Sequence, residues 1–223
     1  RAEYQKEPYW TNRAFGGMPT YQLSTYYPND YIKKLDSVLR FLPRPADYLF
    51  LYFLGFFLLL SVLKVDWKLA LIGALGFGFS TYLIIILGVG HNAKAHAIAY
   101  MPFVLAGLLL VFQKKYLLGF VLTALAMALE INASHPQMTY YLLFSVLIFG
   151  IVQLMEAFKQ KEIPVLAKQV GILLVAVVLA VGVNATSLLA TKEYAEHSTR
   201  SKSELTINPD GSPGITCHSN TFW

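Results

Sequence analysis

Long uncharged stretches alternate with short polar connections through most of this chain. Six stretches resemble membrane-crossing helices, with ends defined to within several residues: 48–64, 69–89, 96–112, 116–133, 138–155 and 170–190. A transmembrane helix needs roughly 20 mostly apolar residues, and these runs are continuous rather than alternating. The pattern predicts an all-α fold, a polytopic transmembrane helical bundle of about six spans.

A shorter amphipathic pattern precedes the first span. One helical face carries Tyr31, Ile32, Leu35, Val38, Leu39 and Leu42, and the other carries Lys33, Lys34, Asp36 and Arg40. Twelve residues are too few to cross a bilayer, so residues 31–42 are predicted to form an amphipathic helix on the membrane surface. Asp47 then follows a proline-containing turn and is a candidate N-cap for the first span.

Composition agrees with a membrane protein. Hydrophobic residues make up 56% of the chain, charged residues 14%, and the mean hydropathy is +0.49. The net charge of +5 is spread over the loops, which favours topology and lipid contact over nucleic-acid binding. The single Cys217 excludes an internal disulfide and a cysteine metal cluster.

Lysines mark alternate connections between the spans. They fall at Lys64 and Lys68, at Lys114 and Lys115, and at Lys159, Lys161 and Lys168, whereas Lys94 is the fixed cation of the opposing short connections. The positive-inside rule therefore places the lysine loops in the cytoplasm and both termini outside.

Three regions are predicted from these patterns. Residues 1–47 form an extracytoplasmic aromatic loop plus the interfacial helix, residues 48–190 the transmembrane domain, and residues 191–223 the start of a truncated extracytoplasmic segment. The chain opens without Met or a signal-like segment, so we expect a fragment that lacks an upstream transmembrane helix.

Three polar clusters fall on the predicted outer side. They comprise His91, Asn92, Lys94 and His96; Glu130, Asn132, Ser134, His135, Gln137, Tyr140 and Tyr141; and Asn184, Thr186, Lys192 and Glu193. Such groups are costly near hydrocarbon, so they are candidates for a site, with solvated loops or a structural ion pair at Glu130 as the alternatives. The spacing of five in His91/His96 and Glu130/His135 does not suit a helical metal chelate, whereas a lysine with imidazoles and amides suits a phosphate group.

Four segments resemble the YfhO-type bacterial membrane proteins, most closely the versions from Bacteroidetes-like bacteria. They are Glu-Pro-Tyr-Trp-Thr-Asn at 7–12, Phe-Gly-Gly-Met-Pro-Thr-Tyr-Gln at 15–22, the stretch 88–96, and His-Pro-Gln-Met-Thr-Tyr-Tyr at 135–141. The resemblance covers roughly residues 1–213; the ending, 214–223, does not look like the family. That family is regarded as similar to GT-C glycosyltransferases, whose key acid lies in a first outer loop that we expect to be upstream of this chain.

The resemblance implies an enzyme of the bacterial inner membrane. It would transfer sugar from a polyprenyl-phosphate donor to a cell-envelope acceptor on the outer face. Glu130 and His135 would be catalytic, or would bind a possible divalent cation, and the substrate would contact His91, Asn92, Lys94, His96, Gln137 and Tyr140. The alternatives are a transporter or flippase-like protein for an envelope precursor, in which these groups line a path, and a structural scaffold.

Overall fold

The computed structural model describes residues 30–196 and two short strands before them. The strands β1 (Trp10–Thr11) and β2 (Met18–Pro19) pair antiparallel, with Trp10 opposite Pro19. The chain divides into two compact units, one of Arg1–Tyr27 with Ala185–Trp223 and one of Pro28–Asn184. The predicted aromatic loop, apart from these strands, and the tail after Glu196 lie outside the described residues.

The described part of the chain is otherwise helical. Its helices are α1 (Tyr31–Leu39), α2 (Ala46–Val62), α3 (Trp67–Gly78), α4 (Thr81–Gly88), α5 (Asn92–Phe112), α6 (Tyr116–Asn132), α7 (Pro136–Gln160), α8 (Ile163–Val183) and α9 (Ala185–Glu196). The all-α fold is confirmed.

Three helices are long and apolar enough to cross a membrane, namely α5, α7 and α8. Helices α3 and α4 qualify only as a pair, with a 44° bend at the break between Gly78 and Thr81. Helices α2 and α6 are apolar but have 17 residues each. By length and composition, the described residues therefore hold three candidate spans, or four if the bent pair is one.

Helix α5 is the centre of unit Pro28–Asn184. In its most apolar stretch, 72% of the residues are buried inside the protein, whereas the corresponding share is 11% in α7 and 17% in α8. It packs most extensively on α6, where two glycines allow the backbones to approach closely: a methyl group on Gly107 would lie 2.7 Å from the Thr123 nitrogen, and one on Gly119 would lie 2.6 Å from the Val111 nitrogen.

The two ends of this helical unit have different chemistry. At one end, Gln113 donates to the carbonyl of Val62 and Gln169 reaches the carbonyl of Phe112, so the predicted lysine loops lie together. Lys64, Lys114 and Lys161 each adopt a left-handed conformation just after a helix, with φ of 62°, 66° and 59°. The α4–α5 and α6–α7 connections, which contain His91 and His135, are at the opposite end.

Three local predictions need correction. Helix α8 begins at Ile163 and not near residue 170. Gln169 lies inside this helix because its side-chain amide donates to the carbonyls of Val111 and Phe112 at the end of α5. Asp47 is not the N-cap of α2: it lies inside the first turn, and its carboxylate contacts Arg40. Helix α1 ends at Leu39, and Asp36, expected on its solvated face, is buried with 2% of its surface exposed.

Candidate functional site

The short connection between α4 and α5 brings basic residues to the polar end of the unit. Gly90 has φ of +83°, a left-handed conformation that glycine adopts without steric cost. His91 and Asn92 are exposed where α5 begins, and Lys94 follows in its first turn, half-buried. The glycine turn thus reverses the chain and presents a histidine, an amide and a lysine together.

His135 lies close to this turn although it is distant in sequence. It precedes α7, and its Nδ1 atom is buried without a hydrogen-bond partner among the described residues. Burial lowers the pKa of His135 and the nearby Lys94 and His91 act in the same direction, which together outweigh a backbone hydrogen bond that raises it. Lys94, His91 and His135, hereafter the basic cluster, therefore share one electrostatic neighbourhood.

Lys94 is held by an aromatic ring and not by an acid. Its Nζ atom lies 5.1 Å from the ring centroid of Tyr82 in α4. It forms no salt bridge within the part of the chain that the structure describes. The ammonium therefore has no anionic partner there, which leaves its charge available to a bound anion.

His96 points into a different cluster. Its Nε2 atom lies 2.5 Å from Asp36 Oδ1, and the hydroxyl of Tyr100 donates to the same oxygen at 2.7 Å. The Nε2 atom of His96 is thus already paired with a carboxylate from α1. The structure separates His96 from the basic cluster with which the sequence grouped it.

A buried charge network joins α1, α2 and α5 around Asp36. Arg40 donates to Asp36 Oδ2 through Nε at 3.0 Å and Nη2 at 2.6 Å, and its Nη1 atom lies 3.3 Å from Asp47 Oδ2. Burial alone would raise the pKa of Asp36, but the hydrogen bonds from His96, Arg40 and Tyr100 outweigh it and lower that pKa to about 2. The carboxylate is ionised and fully engaged. Sequence patterning missed this network; the i,i+4 spacing of Asp36 and Arg40 was its one local signal.

Glu130 has a separate environment near the end of α6. Its side chain is fully buried, and the hydroxyl of Thr139 donates to it, 2.9 Å from Oε1 and 3.1 Å from Oε2. It has no salt-bridge partner among the described residues, so the ion pair considered for it is not formed there. Because Thr139 lies one turn after His135, Glu130 holds the α6–α7 connection together beside the basic cluster.

The remaining predicted residues have more modest surroundings. Gln137 is exposed and donates to the Tyr141 hydroxyl at 2.9 Å, and Tyr140 is 55% exposed and packs edge-on against Phe144. Asn184 is buried and donates to the carbonyls of Ala128 and Ala180, which joins α8 to α6. It is therefore a packing residue, and the other members of its predicted cluster lie in α9, in the other unit.

The described residues contain no preformed metal-binding cluster. No three or more His, Cys, Asp or Glu side chains are grouped there so as to hold a metal ion. The chemistry that the basic cluster can perform is to neutralise an anion with an ammonium, and to donate to it from imidazoles.

Comparison with known proteins identified no family for this chain. No protein-family model, no curated protein and no solved structure matches this chain.

Proposed function

We propose that this chain is part of an integral membrane glycosyltransferase of the GT-C-like, YfhO-type class, which uses a polyprenyl-phosphate-linked sugar to modify a cell-envelope acceptor. The observation that carries the proposal is the basic cluster. Lys94 has no acidic partner in the described residues, and the Nδ1 atom of His135 is buried without a partner there. A phosphate is a ligand that would satisfy both groups at once.

In this proposal Lys94 and His91 bind the donor phosphate. His135 lies beside them and would orient or activate the acceptor hydroxyl, with Asn92 and Gln137 exposed on the helix ends. Glu130 supports the α6–α7 connection through Thr139 and would act as the general base. The apolar helices below would accommodate the polyprenyl chain.

The orientation belongs to the same proposal. Six membrane crossings, formed by α2, α3 with α4, α5, α6, α7 and α8, would place the lysine loops in the cytoplasm of a bacterial inner membrane. Both termini and the basic cluster would then lie outside, with α1 flat on the outer surface. The common location of the lysine loops at one end supports this topology.

Cysteine labelling is expected to reveal this orientation. In a Cys217→Ser background, Asn92→Cys should react with an impermeant thiol reagent in intact cells, whereas Lys115→Cys should react only after permeabilisation. Both positions are exposed, so shielding would reflect the membrane and not packing. Labelling of Lys115→Cys in intact cells would place the lysine loops outside and contradict the proposal.

Removal of the Lys94 ammonium is expected to weaken donor binding. Lys94→Ala should raise the Kd for a polyprenyl phosphate by about tenfold to a hundredfold, since a charge-assisted contact contributes roughly 1.5–3 kcal/mol. The measurement is lipid-phosphate binding to the purified protein, alongside sugar transfer. Lys115→Ala, at the other end of the unit, is the matched control. Equal affinity for the two variants would show that the basic cluster does not bind the donor.

A transporter or flippase-like function is the second candidate, and the bent α3–α4 pair favours it. Discontinuous helices often border substrate sites in transporters. In that case Lys94→Ala would lower the rate at which the lipid-linked precursor crosses proteoliposomes, and no sugar transfer would accompany it. The two assays, performed on the same preparation, separate the two functions.

A further inference from the structure

A cavity of about 270 Å³ lies at the end of the unit opposite the basic cluster. Phe112 at the end of α5, Ala157 near the end of α7 and Val165 near the start of α8 all line it. These three helices are the ones long and apolar enough to cross a membrane. The ends of such helices lie at the level of the lipid headgroups, so the occupant of this cavity must suit that depth.

The lining carries both signs of charge. Its polar residues are Lys114, Gln153, Glu156, Gln160, Glu162 and Gln169. Gln169 is buried, and its Nε2 atom lies 3.4 Å and 3.3 Å from the carbonyl oxygens of Val111 and Phe112, which fixes that wall. Two carboxylates against one ammonium leave a net negative lining, which favours a ligand with a positive group.

The charged groups of the cavity are free to exchange partners. Lys114 Nζ is 3.7 Å from Glu162 Oε2, with the two side chains 59% and 45% exposed. A pair with such exposure contributes little stability. Glu156 accepts one hydrogen bond from the exposed Gln160 at 3.0 Å. A ligand with both an ammonium and a phosphate can therefore replace these contacts.

Exposed apolar side chains surround the same helix ends, on faces of α7 and α8 that do not line the cavity. Met155, Phe158 and Ile163 are exposed in this region, by 56%, 65% and 38%. In a bilayer such side chains contact acyl chains. Lipids therefore surround these helix ends, and a headgroup with charges of both signs is an occupant available at this depth.

We propose that this cavity binds the headgroup of a zwitterionic aminophospholipid. Its primary ammonium contacts the carboxylates of Glu156 and Glu162, and its phosphodiester contacts Lys114 and the glutamine amides. An anionic headgroup is disfavoured because the lining itself has two carboxylates and one ammonium; the other lysines at this end of the unit do not line the cavity. A quaternary ammonium is disfavoured because it has no N–H to donate to the carboxylates. The site is independent of glycosyl transfer and lies at the other end of the unit.

Competition among lipids tests this site. The full chain is exchanged into detergent with equal amounts of phosphatidylethanolamine, phosphatidylcholine and phosphatidylglycerol, and the retained lipid is measured by native mass spectrometry. We expect phosphatidylethanolamine to be retained about tenfold or more over phosphatidylcholine, the ratio that one charge-assisted hydrogen bond supplies.

Variants locate the preference within the cavity. Glu156→Gln with Glu162→Gln should abolish it, each single variant should weaken it, and Glu193→Gln, an exposed acid outside the lining, should leave it unchanged. The single variants decide the matter if the double variant does not fold, as judged by circular dichroism. Equal retention of the three lipids, a preference for phosphatidylglycerol, or an unaltered preference in the glutamate variants would overturn the proposal.

Discussion

Replacing Asp36 by alanine is expected to lower the free energy of unfolding by about 3–5 kcal/mol, the usual cost of removing one partner from a buried ion pair. The side chain of Asp36 is 3% exposed and receives hydrogen bonds from Arg40, His96 and Tyr100. Without it, the guanidinium keeps only the longer contact to Asp47. Unfolding in mixed detergent micelles measures the loss.

Asp30→Ala is the matched control for this prediction. Asp30 caps the same helix through one exposed hydrogen bond to the Lys33 amide, so its removal should cost only about 1 kcal/mol. Similar losses for the two variants would show that the Asp36 network contributes no more than an ordinary cap. If Asp36→Ala does not fold, Asp36→Asn, which keeps one acceptor oxygen, serves in its place.

In the unsubstituted protein, the contribution of this network to the free energy of unfolding should decrease at acidic pH. The pKa of Asp36 is lowered from its ordinary value of 3.8 to about 2 in the folded state, so its ionised form stabilises the fold. That contribution is present above about pH 4 and disappears as the pH falls towards 2. Asp36→Asn should lack this part of the pH dependence.

The second large effect is expected where α5 and α6 approach most closely. Gly107→Ala should lower the free energy of unfolding by about 1–3 kcal/mol through overpacking. The added methyl group would lie 2.7 Å from the backbone nitrogen and 3.0 Å from the Cα atom of Thr123. Backbone atoms cannot rotate away, so the two helices would have to separate.

Gly171→Ala is the control for this substitution. Gly171 lies inside α8, and nothing comes within 4 Å of the position of its added methyl group. Alanine there should be neutral or slightly stabilising, because alanine has the higher helix propensity. Equal stability of the Gly107 and Gly171 variants would mean that the α5–α6 contact is looser than described.

Much of the helical architecture was predictable because each apolar run is interrupted by its own polar connection. The runs 96–112 and 116–133 correspond to α5 and α6, and the lysine loops and the turn at Gly90 separate the helices as expected. The start of α8 was missed because Lys168 and Gln169 resemble loop residues. In the structure Lys168 lies over the Tyr116 ring and Gln169 binds the end of α5, so both fit inside a helix.

The candidate site was predictable only in part. The grouping of Lys94, His91 and His135 followed from the alternation of the helices, which brings alternate connections to the same end. The contact between His96 and Asp36 could not be predicted in this way. The two residues are 60 positions apart in the sequence, and only packing brings α1 against α5. A helical pattern assigned Asp36 to the polar face, but it cannot tell a solvated face from one that contacts another polar cluster.

The shortness of α2 and α6 has a consequence for the surrounding lipid. Each has 17 residues and is therefore about 26 Å long, less than the roughly 30 Å of a bilayer's hydrocarbon. In the proposed topology of six crossings, a bilayer beside either helix would thin locally, and hydrophobic mismatch of this kind costs a fraction of a kcal/mol per ångström. Beside each of these two helices, such a depression would bring lipid phosphates closer to the bilayer midplane than in the rest of the membrane.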